Sequence, residues 1–499
     1  MSDRERGWSE VPVIRTWQLA TGAAVVGLAL SAGAVTAAGP WDSGQRKAER
    51  QWAASQEPAG GGHHGRSAPG ALVPAPAPSA PGVLSVLGVP AAPPAGGSPL
   101  GATLGPLLNV AALGTLHTAS VVETATGKQL YGSGAGEAMT PASTVKIATA
   151  AAVLSALGPE HRIATTVMAA PGAGAEDAGI VLVGGGDPTL TAREPGKPGK
   201  SGKPGKPGTG ASLPALADDT ARALKARGIT EVALRYDASL YSGPEYHPIG
   251  AGNENIARIS ALMADEGRLD DSDAGVAKRT GDPAGDAARK FAGMLRDRGI
   301  RTTGEPAPGK PAATAKPLAR TLSAPLSALV ERMLTNSDND IAEALARQTA
   351  LAAGEPASFE GAERAVAAQL GKLGLETRGT RFADGSGLNR DDKVSAALLT
   401  GILVRAADPA RPQLRPVLTG LPVAGFTGTL SERYEDGSPA GGLVRAKTGT
   451  LHGVNTLAGT VVDADGRLLA FAFMASGTPG KEAAQSALDR LASAVTGAP

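Results

Sequence analysis

The 499-residue chain contains no cysteine, and this absence excludes several kinds of chemistry. Without thiols there is no disulfide bond, no thiolate-bound metal, no iron–sulfur cluster and no cysteine nucleophile. Aromatic residues make up only 3% of the sequence, and the net charge is +1, which leaves no electrostatic footprint for nucleic acid. Six histidines are present, but none has the paired helical spacing of a metal site. We therefore expect neither a metal nor a cofactor.

Glycine and proline, by contrast, are abundant, with 68 and 38 residues, and they concentrate in three segments. Residues 42–105 are predicted to be a disordered Pro/Ala/Gly linker, because this composition cannot bury enough apolar surface to offset its ordering entropy. Residues 194–210 repeat Gly, Pro and Lys and are predicted to be a flexible basic loop. Attraction of this loop to anionic wall polymers is the alternative. The third segment, residues 304–317, is interpreted as a return linker.

The N-terminal residues 1–41 are predicted to be a membrane anchor or a signal peptide. Residues 16–41 carry no charge and are bracketed by Trp17 and Trp41. This run is long enough for a hydrocarbon core, which needs roughly 20 residues. The small residues at positions 35–37 are of the kind that signal peptidase accepts, so cleavage stays open. Both alternatives place the rest of the chain outside the cytoplasm, in the cell envelope, as a membrane-anchored or a secreted protein.

Apolar patterning at the two ends of the remaining sequence predicts strands that share one sheet. The predicted strands cover residues 117–123, 128–131, 443–451, 455–462 and 468–475, ahead of a helix at 481–495. We therefore predict an α+β fold in which residues 106–160 and 320–499 form one domain with an antiparallel sheet covered by helices. An α/β insert at residues 161–319 splits this domain.

A Ser-x-x-Lys motif, Ser143 to Lys146, opens a predicted helix that glycine and proline end at positions 158–159. One turn of helix places both side chains on the same face. A serine hydroxyl becomes a strong nucleophile when a neighbouring base takes its proton, and a lysine with a lowered pKa can be that base. The alternative for this motif alone is a helix-capping serine with a solvated lysine.

Two further motifs are compatible with the same chemistry. A Ser-x-Asn sequence, Ser337 to Asn339, lies between two helical patterns and can direct a hydroxyl and an amide toward a cleft. The triplet Lys447, Thr448 and Gly449 lies on a predicted strand, where the lysine can hold an anionic substrate end and the glycine allows close approach of a ligand. Taken singly, the first motif can be a helix cap and the second a solvated strand lysine beside a bulge.

In this order, the three motifs resemble the set found in penicillin-binding proteins and class A β-lactamases. More specifically, the chain is similar over about residues 106–499 to low-molecular-mass class C penicillin-binding proteins, the D-Ala-D-Ala carboxypeptidase/endopeptidase family S13. Ser143 and Ser337 are 194 positions apart in the sequence, and this spacing fits the family, which carries inserted domains there. The supporting stretches are residues 182–190, 236–239, 336–343 and 384–388.

The resemblance implies a penicillin-binding-protein/β-lactamase-like transpeptidase domain and a serine DD-peptidase that acts on peptidoglycan stem peptides. Ser143 would attack the carbonyl between two D-alanines with help from Lys146. Backbone N–H groups of Ser143 and Thr450 would form the oxyanion hole. β-Lactam antibiotics, as mimics of the dipeptide, would acylate Ser143 and stay bound.

The resemblance also implies how the substrate is held. Lys447, Thr448 and Thr450 would bind the terminal carboxylate. Ser337 with Lys447 would help to protonate the leaving amine, while Asn339 positions the peptide. Water would then release the acyl group. Cleavage of D-Ala cross-links is implied as a second activity, although the sequence does not choose between carboxypeptidase and endopeptidase action.

Three other functions are compatible with parts of the sequence. A β-lactamase would use the same acylation, but the Glu-x-x-Leu-Asn pattern of class A enzymes is absent. A non-catalytic wall-binding module would keep the fold without the reaction. A Ser-His-Asp hydrolase using His117 or His452 is the third, although no Gly-x-Ser-x-Gly elbow is present.

Overall fold

The computed structural model describes residues 99–169, 179–194, 210–434 and 438–497. The predicted anchor or signal peptide, most of the linker and residues 195–209 of the basic loop lie outside the described residues. Among the helices that the structure describes, none is long and apolar enough to cross a membrane.

The described residues contain both helices and strands. The helices are α1 (Pro99–Leu108), α2 (Lys146–Leu157), α3 (Leu213–Lys225), α4 (Pro283–Asp297), α5 (Leu326–Asn336), α6 (Asn339–Ala352), α7 (Phe359–Lys372), α8 (Ala396–Ala407), α9 (Pro416–Thr419) and α10 (Lys481–Val495). The strands are β1 (Leu116–Glu123), β2 (Gln129–Ser133), β3 (Ala138–Met139), β4 (Ala164–Ala169), β5 (Gly179–Val183), β6 (Glu231–Asp237), β7 (Arg301–Thr302), β8 (Ala307–Pro308), β9 (Lys316–Leu322), β10 (Val394–Ser395), β11 (Arg445–Leu451), β12 (Val454–Val462) and β13 (Leu468–Ser476).

A five-stranded antiparallel sheet joins the two ends of the packed region in the order β11-β12-β13-β1-β2. Both faces of this sheet are covered. Successive side chains of a strand point to opposite faces, so even-numbered residues 470–474 of β13 pack among α2 and α8, while odd-numbered residues 469–475 pack against α1 and α10. Because both faces are buried, β13 is almost continuously apolar.

A second sheet, formed by strands from within residues 164–322, has the order β7-β6-β5-β4-β9, with β8 also pairing with β6. It mixes parallel pairs, such as β5 with β6, and antiparallel pairs, such as β4 with β9. Helices α3 and α4 cover it through their apolar faces, which include Leu216, Leu224 and Phe291. We use "inserted segment" below for residues 161–319.

Two Gly/Pro-rich regions contain more regular structure than their composition predicts. Residues 99–105, predicted as linker, instead belong to α1, because Leu104 and Leu108 recur at helical spacing and are fully buried beneath α10. Within 304–317, predicted as a return linker, Ala307–Pro308 pairs with β6 and Lys316 begins β9. Helix packing in the first region and strand pairing in the second therefore override the local composition.

Candidate active site

Ser143 lies on a single 3-10 turn, Ala142–Val145, that runs directly into α2. The preceding Ala142 has a φ of 48°, a conformation that only a few per cent of non-glycine residues adopt. Gly387, with a φ of 84°, approaches this turn so closely that a side chain there would overlap Ala142 and the backbone nitrogen of Ser143. The backbone around Ser143 is therefore held in one unusual geometry.

Lys146 is fully buried at the start of α2, and its three N–H donors each have an acceptor. Nζ donates to Oγ of Ser143 at 3.0 Å, to Oδ1 of Asn339 at 2.7 Å and to the carbonyl of Ser386 at 2.5 Å. Burial lowers the pKa of Lys146 to about 8, and the carboxylate of Asp384 opposes that shift. A lysine in this setting can carry or release a proton near neutral pH.

Ser337 and Asn339 lie at the junction of α5 and α6. Ser337 adopts a left-handed conformation with a φ of 58°, which ends α5. The side chain of Asp338 caps α6 by accepting from the backbone of Ile341 at 3.0 Å. Asp338 therefore takes the capping role, which leaves the side chains of Ser337 and Asn339 directed to the cleft.

The Lys-Thr-Gly triplet lies on β11, as the sequence predicts, but its lysine is not in the cleft. Lys447 is fully buried, and its Nζ donates to the carbonyl of Thr448 at 2.8 Å. Burial, and then the charge of Lys146, hold the pKa of Lys447 well below its usual value. A Cβ on Gly449 would lie 2.7 Å from the carbonyl of Pro141, so glycine lets β11 approach the Ser143 turn.

A cleft of about 530 Å³ connects these elements. Five predicted site residues line it: Ser143, Ser337, Asn339, Thr448 and Thr450. The inserted segment supplies a further wall, with Asn255, Arg268 and Arg279 among its residues. Both buried lysines lie outside this lining.

The inserted segment is fixed to the domain next to this cleft. Arg279 pairs with Asp340 at 3.0 Å, and Nδ2 of Asn339 donates to the carbonyl of Asn255 at 2.9 Å. Charge pairing and a direct amide contact thus connect the inserted segment with the Ser-x-Asn motif.

The hydrogen-bond partners of Ser143 distinguish a lysine base from a histidine base. Its Oγ contacts Nζ of Lys146 and lies 3.4 Å from the carbonyl of Ser386. In the described part of the chain no histidine hydrogen-bonds to Ser143, and His452 is exposed in the turn between β11 and β12. The arrangement favours a lysine base and not a Ser-His-Asp triad.

Sequence reasoning missed the loop of residues 384–387, which we name the Asp384 loop. Oδ1 of Asp384 accepts from the backbone of Ser386 at 2.9 Å and of Gly387 at 2.5 Å, and Oδ2 accepts from Asn389 at 2.6 Å. The loop is thereby wound around one buried carboxylate, with the Ser386 carbonyl facing Lys146. Residues 384–388 are noted from sequence only as part of the family resemblance, because a backbone carbonyl has no side-chain signature.

Asp392 provides a test of the electrostatics around this loop. Burial, and then the neighbouring Asp384, raise the pKa of Asp392 well above its usual value, so the ionised carboxylate is disfavoured in the folded protein. A carboxyl with a raised pKa in the folded state lowers the stability of the protein more as the pH rises, and asparagine removes this cost. We expect Asp392→Asn to raise the thermal unfolding midpoint by about 2–4 °C at pH 8 and by less at pH 5.

The matched control is Asp391→Asn. The side chain of Asp391 is 63% exposed and pairs with Arg381 at the surface, so its loss should change the midpoint little at either pH. Differential scanning calorimetry of both variants checks the prediction. A lower midpoint for Asp392→Asn at pH 8 would contradict a raised pKa of Asp392 in the folded protein.

Comparisons with known proteins identify carboxypeptidases as similar to this chain. The profile of the D-Ala-D-Ala carboxypeptidase 3 (S13) family matches residues 102–275 and 270–495. The chain is 37% identical over 428 residues to carboxypeptidase Rv3627c of Mycobacterium tuberculosis, covering 83% of this chain and 87% of that protein. It is 38% identical over 371 residues to carboxypeptidase DacB of Mycolicibacterium smegmatis, covering 72% and 76%.

The fold has a counterpart among solved structures. Penicillin binding protein 4 (DacB) of Haemophilus influenzae superposes with a TM-score of 0.63 at 23% identity, over 79% of this chain and 98% of that chain. This likeness confirms the predicted α+β fold of the penicillin-binding-protein type.

Proposed function

Because this chain belongs to the D-Ala-D-Ala carboxypeptidase 3 (S13) family and is a hydrolase of that class, we propose that it cleaves the D-Ala-D-Ala bond through a Ser143 acyl-enzyme. One observation carries the proposal: the buried amine of Lys146 lies 3.0 Å from Oγ of Ser143 at the wall of the cleft. This is the geometry that a nucleophile and its base require.

In the proposed acylation, the neutral amine of Lys146 takes the proton of Ser143 as Oγ attacks the carbonyl of the penultimate D-alanine. Negative charge then develops on the carbonyl oxygen. The backbone N–H groups of Ser143 and Thr450 are the proposed donors to that oxygen. Their N–H dipoles are fixed by the 3-10 turn and by β11, so they need no reorganisation during the reaction.

The substrate carboxylate is proposed to bind Thr448 and Thr450, whose hydroxyls are already oriented by neighbours. Oγ1 of Thr448 lies 2.8 Å from that of Thr429, and Oγ1 of Thr450 accepts from Gln485 at 3.2 Å. The side chain of Lys447 is buried outside the lining of the cleft, so its contribution is proposed to act through its hydrogen bond to the Thr448 carbonyl.

The leaving amine is proposed to receive its proton through Ser337, while Asn339 positions the peptide. As the C–N bond breaks, the amine leaves as D-alanine and the acyl group stays on Ser143. Water then attacks the ester and restores the hydroxyl of Ser143. The same geometry supports acylation by β-lactams, in which the broken amide bond belongs to the ring and the leaving amine stays attached.

The balance between carboxypeptidase and endopeptidase action is tested with purified cross-linked peptidoglycan. We expect the enzyme to release free D-alanine and also to reduce dimeric muropeptides, as measured by chromatography with mass spectrometry. Release of D-alanine with unchanged dimers would restrict the activity to trimming. Neither change, together with rapid turnover of nitrocefin, would favour the β-lactamase alternative.

A substrate in the cell wall implies that the active domain works outside the cytoplasm. We propose residues 106–160 and 320–499 as this domain, to which residues 99–105 add the first turns of α1, with residues 161–319 as its inserted domain. Whether the N-terminal segment is retained as an anchor or cleaved is tested by mass spectrometry of the mature N-terminus.

A further inference from the structure

His247 is a buried histidine that the proposed reaction does not use. It belongs to the inserted segment and lies on the irregular stretch between β6 and α4, where only 3% of its surface is exposed. Nδ1 accepts from the backbone of Ile249 at 3.2 Å. A neutral ring therefore carries its proton on Nε2, and this group lies 2.9 Å from Oδ2 of Asp384. The tautomer follows from this hydrogen-bond pattern.

The acceptor of this hydrogen bond is the carboxylate around which the Asp384 loop is wound. His247 and the backbone of Asn389 meet the same oxygen, Oδ2, while Oδ1 holds two backbone groups of the loop. His247 thus supplies a side-chain donor from a segment more than 130 residues away along the chain. The orientation of the Asp384 carboxylate therefore depends both on His247 and on the backbone of the loop.

The Asp384 loop in turn presents the Ser386 carbonyl to Lys146 at 2.5 Å. From this chain of contacts we propose that His247 is a positioning residue, which fixes the Asp384 loop and thereby aligns the Lys146 amine with Ser143. This inference rests on the proposed function of Lys146 as the base. It gives the inserted segment a direct part in setting the geometry of the reaction.

Two other interpretations of this histidine fit the contacts less well. Glu343 lies 3.9 Å from Nε2 of His247, so these two residues and Asp384 are close enough to share a metal ion. However, the carboxylate of Glu343 already accepts from the backbone of Gly385 at 2.9 Å and pairs with Arg347 at 2.8 Å. The carboxylates of Glu343 and Asp384 therefore have hydrogen-bond partners within the protein and need no metal ion.

Packing alone is the second interpretation. The ring of Phe359 meets His247 edge-on, with centroids 5.4 Å apart at an angle of 83°. An apolar side chain could fill this space equally well, but it would leave Oδ2 of Asp384 with one donor fewer in a buried site. Loss of such a donor is costly.

Two variants of His247 separate the hydrogen bond from the presence of a polar side chain. His247→Asn keeps an acceptor near Nδ1 but cannot reach Asp384, whereas His247→Gln carries an amide N–H near the position of Nε2. We expect the asparagine variant to lose about ten- to a hundredfold in the first-order acylation rate constant at saturating penicillin, with a smaller change in the half-saturating concentration. The glutamine variant should keep most of the rate.

The matched control is Phe359→Leu, which disturbs packing around the His247 ring but keeps the hydrogen bond from His247 to Asp384. This variant should lose stability without a comparable loss of acylation rate. An equal fall in rate for Phe359→Leu, or for His247→Gln, would overturn the proposal in favour of packing. Wild-type acylation by His247→Asn would also overturn it.

A second readout is independent of activity. The titration of Lys146 is followed by NMR of the protein with ¹³C-labelled lysine, with assignment from the spectrum of a Lys146→Arg variant. In His247→Asn the midpoint is expected to fall, because the ammonium loses its ordered acceptor at Ser386. An unchanged midpoint overturns the positioning role even if the protein proves not to react with penicillin. Absence of acylation in the wild type, in contrast, would contradict only the proposed function.

Discussion

Ser143→Ala is expected to reduce labelling by a fluorescent penicillin to background while the protein stays folded. The hydroxyl oxygen is the only non-hydrogen atom removed, and it is the atom proposed to form the ester. In the folded protein this hydroxyl contacts Lys146 at 3.0 Å and the Ser386 carbonyl at 3.4 Å. After its removal Lys146 still donates to Asn339 and to Ser386, so no buried charge loses all its partners.

The matched control is Ser155→Ala, a serine on the same helix, α2, whose hydroxyl reaches Gln369 at 3.5 Å. Gel fluorescence should show full labelling of this variant and none of Ser143→Ala. Intact mass spectrometry of the wild type should show one added penicillin, and peptide mapping should place it on Ser143. Equal labelling of Ser143→Ala would disprove the assignment of the nucleophile.

Local patterns predict the parts of this site that depend on short stretches of chain. The spacing of Ser143 and Lys146 is enough to place both on one helical turn, and the structure starts α2 at Lys146. Similarly, the sequence predicts that the Ser-x-Asn motif lies between two helical patterns, and in the structure α5 ends and α6 begins at this motif.

Contacts between distant segments are what the sequence alone leaves undetermined. No periodicity indicates that the Ser386 carbonyl faces Lys146, or that His247 from the inserted segment reaches Asp384. The burial of Lys447 has the same origin. A strand lysine is expected to reach solvent, but Lys447 is fully buried on β11, the strand onto which the turn before α2 packs at Gly449.

Two buried lysines, Lys146 and Lys447, lie close together at this site, and several carboxylates act on the first of them. The charge of Lys146 disfavours a second ammonium nearby, and this repulsion lowers the pKa of Lys447 beyond the effect of burial. Asp384, Asp338 and Glu343 favour the charged form of Lys146 and so limit its shift. The balance of burial against these carboxylates brings the pKa of Lys146 to about 8, which suits a base near neutral pH.

Replacement of Lys146 is therefore expected to have the second large effect, and its two forms separate base catalysis from simple charge. Lys146→Ala removes the base and should slow acylation by about 10²–10⁴-fold. Lys146→Arg keeps a cation that can contact Asn339 and Ser386, but a guanidinium does not give up its proton in this pH range. It should be impaired as severely as the alanine variant.

The pH dependence of the acylation rate tests directly whether Lys146 acts as a base. Below the pKa of about 8 most of Lys146 is protonated and cannot accept the serine proton, so the wild-type rate should rise with pH. The neutral fraction is roughly one tenth at pH 7 and one half at pH 8, which predicts about a fivefold increase in the second-order acylation rate constant. Stopped-flow measurements with a chromogenic β-lactam test this increase. A flat profile, or wild-type rates in Lys146→Arg, would assign the proton transfer to another group, because neither result is compatible with a lysine that must be neutral to act.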